Sequence, residues 1–199
     1  MRPILYSFRR CPYAMRARMA LQVAGVDYEH REILLRDKPA HMLEISPKGS
    51  VPVFAINDQV IDESLDVMKW AMPNAKFQSD IIKMIDGPFK YHLDRYKYAS
   101  RYNPDVKRGA VDLAHRVQAV DALKMIEGRL INDACLEGAE ISPTDMASFP
   151  FVRQFAAVEP EWWASNPDLS KTRNWLALCL ASELFKTIMQ KHPLWVPDS

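Results

Sequence analysis

Residues 4–18 read Ile4-Leu5-Tyr6-Ser7-Phe8-Arg9-Arg10-Cys11-Pro12-Tyr13-Ala14-Met15-Arg16-Ala17-Arg18, and the order of residue types in this stretch decides the fold. The run from Arg2 to Ser7 suits a short apolar strand. Pro12 suits the first turn of a helix, where a missing N–H costs nothing because it would have no intrahelical partner. The helix is expected from Pro12 to about Ala24, with Ala17, Ala20, Leu21 and Ala24 facing inward and Gly25 as its stop. Working outward, Tyr28 to Leu34 reads as a second strand and Pro39 to Ile45 as a short helical turn. Val53–Ile56 and Gln59–Ile61 read as a hairpin turning at Asn57-Asp58, and Ser64 to Ala71 as a helix. The order βαβ, short α, ββ, α is thioredoxin-like, with one parallel and one antiparallel pair in a single sheet.

After Met72-Pro73-Asn74 the strand-like alternation stops. Leu113, Val117, Val120, Leu123, Ile126 and Leu130 recur at steps of three and four, as on one face of a long helix. Ser142-Pro143-Thr144-Asp145 opens another helix, with serine as N-cap, proline in the first turn and an acid able to answer the cap. The proline-dotted stretch from Glu159 to Asp168 reads as a loop, and a final helix is expected from about Leu169 to Lys191. The expected organisation is therefore an α/β thioredoxin-like domain over residues 1–72, a linker over 73–78 and an all-α helical domain over 79–199.

Composition narrows the function classes. Lys plus Arg number 26 against 25 Asp plus Glu, a formal charge of +1, so no surface field favours nucleic acid or an anionic membrane. No apolar run approaches the roughly 20 residues that cross a bilayer, and Met1 leads into Ile4-Leu5-Tyr6 without a signal-peptide pattern, so a cytoplasmic protein is expected. The 3 cysteines, Cys11, Cys135 and Cys179, suit neither a disulfide framework nor a zinc site, and the 5 histidines show no ligand-like spacing, so no metal is expected.

Cys11 carries the sharpest chemistry. A cysteine where a strand gives way to a helix sees unpaired backbone N–H groups and the positive end of the helix dipole, both of which favour the nucleophilic thiolate. Arg9, Arg10 and Arg16 add positive charge nearby. Ala14 stands where a dithiol motif would place its second cysteine, so a disulfide cycle at Cys11 needs a separate resolving thiol. Val51-Pro52 precedes the hairpin; in a thioredoxin-like fold a cis proline here leaves the edge of Val51 open to an extended peptide, like an added strand. Asp62-Glu63-Ser64 ends the hairpin and begins a helix. Glu63 can pair with an ammonium there, while the Ser64 hydroxyl and the helix amides receive a carboxylate.

Together these motifs resemble glutathione transferases. Tyr6-Ser7 before Cys11-Pro12-Tyr13, the Arg16-x-Arg18 helix, Val51-Pro52 and Glu63-Ser64 stand in the family's order. Residues 4–72 are similar to its N-terminal domain, in particular to omega-like transferases and the bacterial two-domain glutaredoxin. The resemblance implies glutathione as cosubstrate. It places Cys11 at the glutathione sulfur, Val51 on the cysteinyl backbone behind Pro52, and Glu63 with Ser64 on the γ-glutamyl end. Lys38 would meet the glycine carboxylate, and Tyr13 would border the thiol. Ser142-x-x-Asp145 and Phe149-Pro150-Phe151 extend the likeness into the helical domain.

The function this implies is monothiol, glutaredoxin-like thiol transfer on a glutathionylated substrate, with Cys11 as nucleophile. Two alternatives stand beside it: conjugation of glutathione to small electrophiles, with a hydroxyl of Tyr6 or Ser7 as activating group, and a non-catalytic protein-binding member of the family. Most transferases are homodimers, whereas the two-domain glutaredoxin is a monomer, so the resemblance leaves assembly open. In the second domain Tyr91, Tyr98 and Tyr102 share one helical face. The resemblance implies that such a face can line the cleft between domains, but aromatic stripes are usually core, and ordinary packing is expected for at least two of them. Trp162, Trp163, Trp175 and Trp195 are expected to pack, and Cys135 and Cys179 to be inert.

Overall fold

The computed structural model describes residues 2–197, so Met1 and residues 198–199, the outer ends of the two expected domains, lie outside it. The chain divides into two compact units: one runs to Ala75 and takes back the chain from Ala181 onward, the other is Lys76–Leu180.

The first unit holds a four-stranded sheet in the order β2-β1-β3-β4, made of β1 (Ile4–Ser7), β2 (Glu29–Glu32), β3 (Val53–Ile56) and β4 (Gln59–Ile61). β1 pairs parallel with β2 and antiparallel with β3, so that Leu5 stands opposite both His30 and Phe54. Strand alternation then sorts the core. Leu5 and Phe54 pack with Ala17 and Leu21 of helix α1 (Pro12–Val23) and Val67 of α3 (Ser64–Ala71). Tyr6 and Val53 join Ala14, Ile33, Val51 and Met42 of α2 (Ala40–Ile45) in a second cluster. Ala24, expected to face inward, is exposed because the helix has already ended: it is the C-cap.

β2 is all polar, Glu-His-Arg-Glu, and forms an edge. That edge is covered by the chain's own tail, where the Trp195 N–H donates to the Glu32 carbonyl at 2.9 Å and Leu194 bridges Glu32 in parallel. The expected helix from Leu169 to Lys191 is in fact interrupted. A 3₁₀ turn at Pro167–Leu169 and helix Ser170–Ala181 are followed by a second helix, Glu183–Ile188, because Ser182 turns extended and its Oγ caps the Phe185 N–H at 3.1 Å. The Glu159–Asp168 stretch is likewise not a loop. Pro160 opens the short helix Pro160–Ser165 and Pro167 opens the 3₁₀ turn, both at positions that need no backbone donor.

The second unit is helical. Its first helices are α4 (Ser79–Met84), α5 (Lys90–Lys97) and α6 (Ala99–Tyr102), with a π-helical turn at Ile85–Phe89 between α4 and α5. α7 (Leu113–Arg129) and α8 (Pro143–Ala156) follow. Asp145 is fully buried in α8 and gathers four donors. Oδ1 accepts from the Leu136 N–H (2.9 Å) and Trp175 Nε1 (2.6 Å), and Oδ2 from the backbone N–H and hydroxyl of Ser142 (2.8 and 2.5 Å), completing the expected capping box. The phenol face is not core: Tyr91 and Tyr102 are each 50% exposed and flank the Arg95 guanidinium, 3.4 and 4.4 Å from their ring centres. Arginine stacked between two rings keeps both near water, an arrangement that apolar spacing does not reveal. Among the described residues no helix is long and apolar enough to cross a membrane.

Candidate functional site

Cys11 is the N-cap of α1, with extended backbone (φ −73°, ψ 123°), the position that precedes the open amides of the first turn, although its side chain makes no capping hydrogen bond to them. It is partly buried, and its Sγ donates to the Val51 carbonyl at 3.7 Å. The loop that brings Val51 there contains a cis Val51–Pro52 bond and Gly49 at φ +61°. Glycine is needed at that position twice over: the positive φ suits it, and a Cβ would come within 3.2 Å of Lys38 Nζ, which lies against it. Cys11 thus meets Val51 of this loop, and Lys38 lies against Gly49 of the same loop. Tyr13, the second residue of α1, is partly buried with the Arg16 guanidinium 5.7 Å from its ring centre.

Glu63 and Ser64 lie at the start of α3, Glu63 as N-cap with its side chain 68% exposed and Ser64 buried. Sequence reasoning missed the group that meets them. Lys48 Nζ lies 2.5 Å from Glu63 Oε1 and 3.2 Å from Asp62 Oδ1, while the Ser46 hydroxyl donates to Asp62 at 2.7 Å. Burial pushes the Asp62 carboxyl upward, but these donors outweigh it and hold the group below its ordinary value. An ammonium thus already sits on the acidic pair; the only hint in the sequence is a lysine in the Pro-Lys-Gly turn.

The arginines of α1 are buried, which the sequence analysis did not anticipate. Arg16 and Arg18 are 1% and 2% exposed. Arg18 donates to the Ser7 hydroxyl (2.6 Å), the Phe8 carbonyl (3.4 Å) and the Arg9 carbonyl (2.7 Å), fastening the segment that leads into Cys11. The two hydroxyls held in reserve are both engaged. Ser7 is fully buried under Arg18. Tyr6 is fully buried, its oxygen 2.6 Å from His41 Nδ1 and accepting from Arg31 at 2.6 Å, with Trp195 edge-on to its ring. Burial also pushes the Tyr6 phenol above its ordinary pKa, the opposite of what a phenolate catalyst requires.

The other cysteines differ from Cys11. Both are fully buried, and burial raises the Cys135 thiol to about 11 and Cys179 further still. Among the described residues no group of three or more His, Cys, Asp or Glu side chains could hold a metal ion.

Residues 5–76, the span that carries these motifs, match the family model described as glutathione S-transferase, N-terminal domain. Residues 5–76 therefore form a glutathione S-transferase N-terminal domain. Along nearly its whole length the chain is similar to the probable glutathione S-transferase parA of Nicotiana tabacum, with 25% identity over 96% of this chain and 91% of that one. Solved structures agree on the fold. A Tau class glutathione S-transferase from mango, Mangifera indica, superposes with a TM-score of 0.75 at 24% identity, covering 96% of this chain and 93% of that one. A glutathione S-transferase from the Antarctic clam Laternula elliptica gives 0.76 at 18% identity over 95% and 92%.

Proposed function

We propose that the chain is a member of the glutathione S-transferase superfamily and works as a glutathione-dependent thiol transferase in which Cys11 is the nucleophile. The observation that carries the reading is the setting of Cys11: a half-buried thiol at a helix N-terminus, against the Val51 carbonyl, while Tyr6 and Ser7 are buried and hydrogen-bonded elsewhere. The Cys11 thiolate attacks the glutathionyl sulfur of a mixed disulfide and forms a Cys11–glutathione disulfide, and the substrate leaves as its thiolate. A second glutathione thiolate attacks the glutathionyl sulfur, giving oxidised glutathione and restoring Cys11. No second cysteine is needed, in keeping with Ala14.

The glutathione would lie with its cysteinyl backbone along Val51, its N–H taking the carbonyl that Cys11 now uses. Lys38 would meet the glycine carboxylate, Tyr13 would border the sulfur, and Glu63 with Ser64 would hold the γ-glutamyl end. Because Lys48 occupies Glu63 in the ligand-free protein, the ligand ammonium replaces one ion pair by another and the net gain falls. A charge-assisted hydrogen bond offset by an exposed pair leaves about 1 to 2 kcal/mol, so Glu63→Ala should weaken glutathione binding roughly five- to thirtyfold by calorimetric titration. An unchanged affinity would remove Glu63 from the site.

Oxidised glutathione should make the folded protein heavier by one glutathionyl group, reversed by excess thiol and mapped by mass spectrometry to Cys11, because burial keeps Cys135 and Cys179 protonated and inaccessible. Modification confined to Cys135 or Cys179 would overturn the assignment. Conjugation of small electrophiles is the second reading, supported by relatives such as the tobacco protein that bear the transferase name.

A further inference from the structure

Arg18 is a buried cation whose partners do not balance it. A guanidinium has five N–H donors. Four are used, all on neutral acceptors: Nη1 on the Ser7 hydroxyl and the Phe8 carbonyl, Nη2 on the Arg9 carbonyl and, at 3.9 Å, on Met189 Sδ. The fifth, Nε–H, is buried without a partner, and among the described residues no carboxylate lies within ion-pair distance of Arg18. That Nε–H is itself closed to solvent, so what a ligand beside Arg18 can supply is the missing negative charge, and a buried charge without one is costly.

Arg18 lines a cavity of about 250 Å³ in the first unit, together with Gln22 of α1, Tyr28 and His30 at β2, and Gln190 and His192 of the tail. The imidazoles of His30 and His192 stack 3.9 Å apart with 14° between their planes. We propose that this cavity binds a small oxyanion, a carboxylate or a tetrahedral oxyanion such as phosphate or sulfate, on Arg18, the His30–His192 stack and the two glutamines.

The histidine geometry adds a proton to the binding step. His30 Nε2 lies 3.0 Å from Glu32 Oε2, and since an ionised carboxylate only accepts, Nε2 is the donor in that contact. A neutral imidazole has a single donor, so His192 can offer both ring nitrogens to an anion only when its ring takes up a proton. The charged and titratable groups around the stack are Arg18 from α1, Tyr28 and the Arg2-paired Asp27 before β2, and Glu32 on β2. Burial, His30 and Arg18 hold the His192 imidazole below its ordinary pKa, and an anion between these cations reverses that balance.

The test titrates the whole protein with sodium sulfate and with sodium acetate against sodium chloride at constant ionic strength, at pH 6 and pH 8, following histidine side-chain NMR signals and thermal stability. Sulfate is used because its charge does not change in that range. Saturable binding that tightens at low pH, by up to about tenfold per pH unit for one linked proton, is expected. His192→Leu and Gln22→Leu, both at exposed positions, should each weaken it roughly tenfold without shifting the ligand-free melting temperature by more than a few degrees. Response to sulfate alone assigns a tetrahedral oxyanion, and response to acetate assigns a carboxylate. A response equal to that of chloride, a non-saturating one, one without pH dependence, or one unchanged in both variants overturns the proposal.

Discussion

Cys11→Ser should abolish mixed-disulfide reduction while the protein stays folded. A serine hydroxyl is not ionised at neutral pH and cannot form the disulfide intermediate, so the first step of the exchange has no nucleophile. Stability should hardly change, because Cys11 is only partly buried and a hydroxyl can still donate to the Val51 carbonyl. The informative comparison is a side-by-side assay of mixed-disulfide reduction and aryl-halide conjugation for both proteins. Conjugation should survive in Cys11→Ser, or even rise, since a hydroxyl at the helix N-terminus can hold the glutathione thiolate by a hydrogen bond without competing as a nucleophile. Full disulfide reduction in the variant would shift attention to groups other than Cys11. Conjugation without disulfide reduction in the unmodified protein would favour the transferase reading, and activity in neither assay would point to a binding protein.

What the sequence revealed here was local. Strand, cysteine, proline and helix in succession located Cys11, and the bounds of the β3–β4 hairpin and of α3 followed from alternation and a turn at Asn57-Asp58. Contacts made across long separations in the chain stayed hidden. Nothing near residue 48 says that its amine will settle on Glu63, and nothing in α1 says that Arg16 and Arg18 will be buried beside alanines. The tail was read as the end of a helical domain, yet it folds back onto β2 of the first unit, because a polar edge strand offers backbone groups that only a distant segment can pair. The tyrosine face misled for a related reason: Tyr91, Arg95 and Tyr102 satisfy one another at the surface, whereas hydrophobic spacing presumes that rings seek the core.

The largest structural effect is expected at Asp145, far in sequence from the proposed chemistry. Asp145→Ala removes an acceptor that serves the Leu136 and Ser142 N–H groups, the Ser142 hydroxyl and Trp175 Nε1, and leaves donors buried without partners. Each orphaned donor costs about 1 to 3 kcal/mol, and loss of half the capping box adds about 1 kcal/mol. Water entering the space left by the carboxylate can recover part of this, so a loss of about 3 to 5 kcal/mol is expected. For a chain of this size that is a fall of roughly 6 to 20 °C in melting temperature, and a large share of the 5 to 15 kcal/mol that typically separates folded from unfolded protein. Asp145→Asn separates the two ends of the network. Its amide oxygen can still accept from Leu136 and Trp175, but its NH₂ group then faces the Ser142 N–H, donor against donor. The asparagine variant should therefore lie between wild type and alanine in denaturant midpoint. If Asp145→Ala melts within about 2 °C of wild type, the carboxylate is not the keystone of the helical unit, and the four donors must find other acceptors when it is gone.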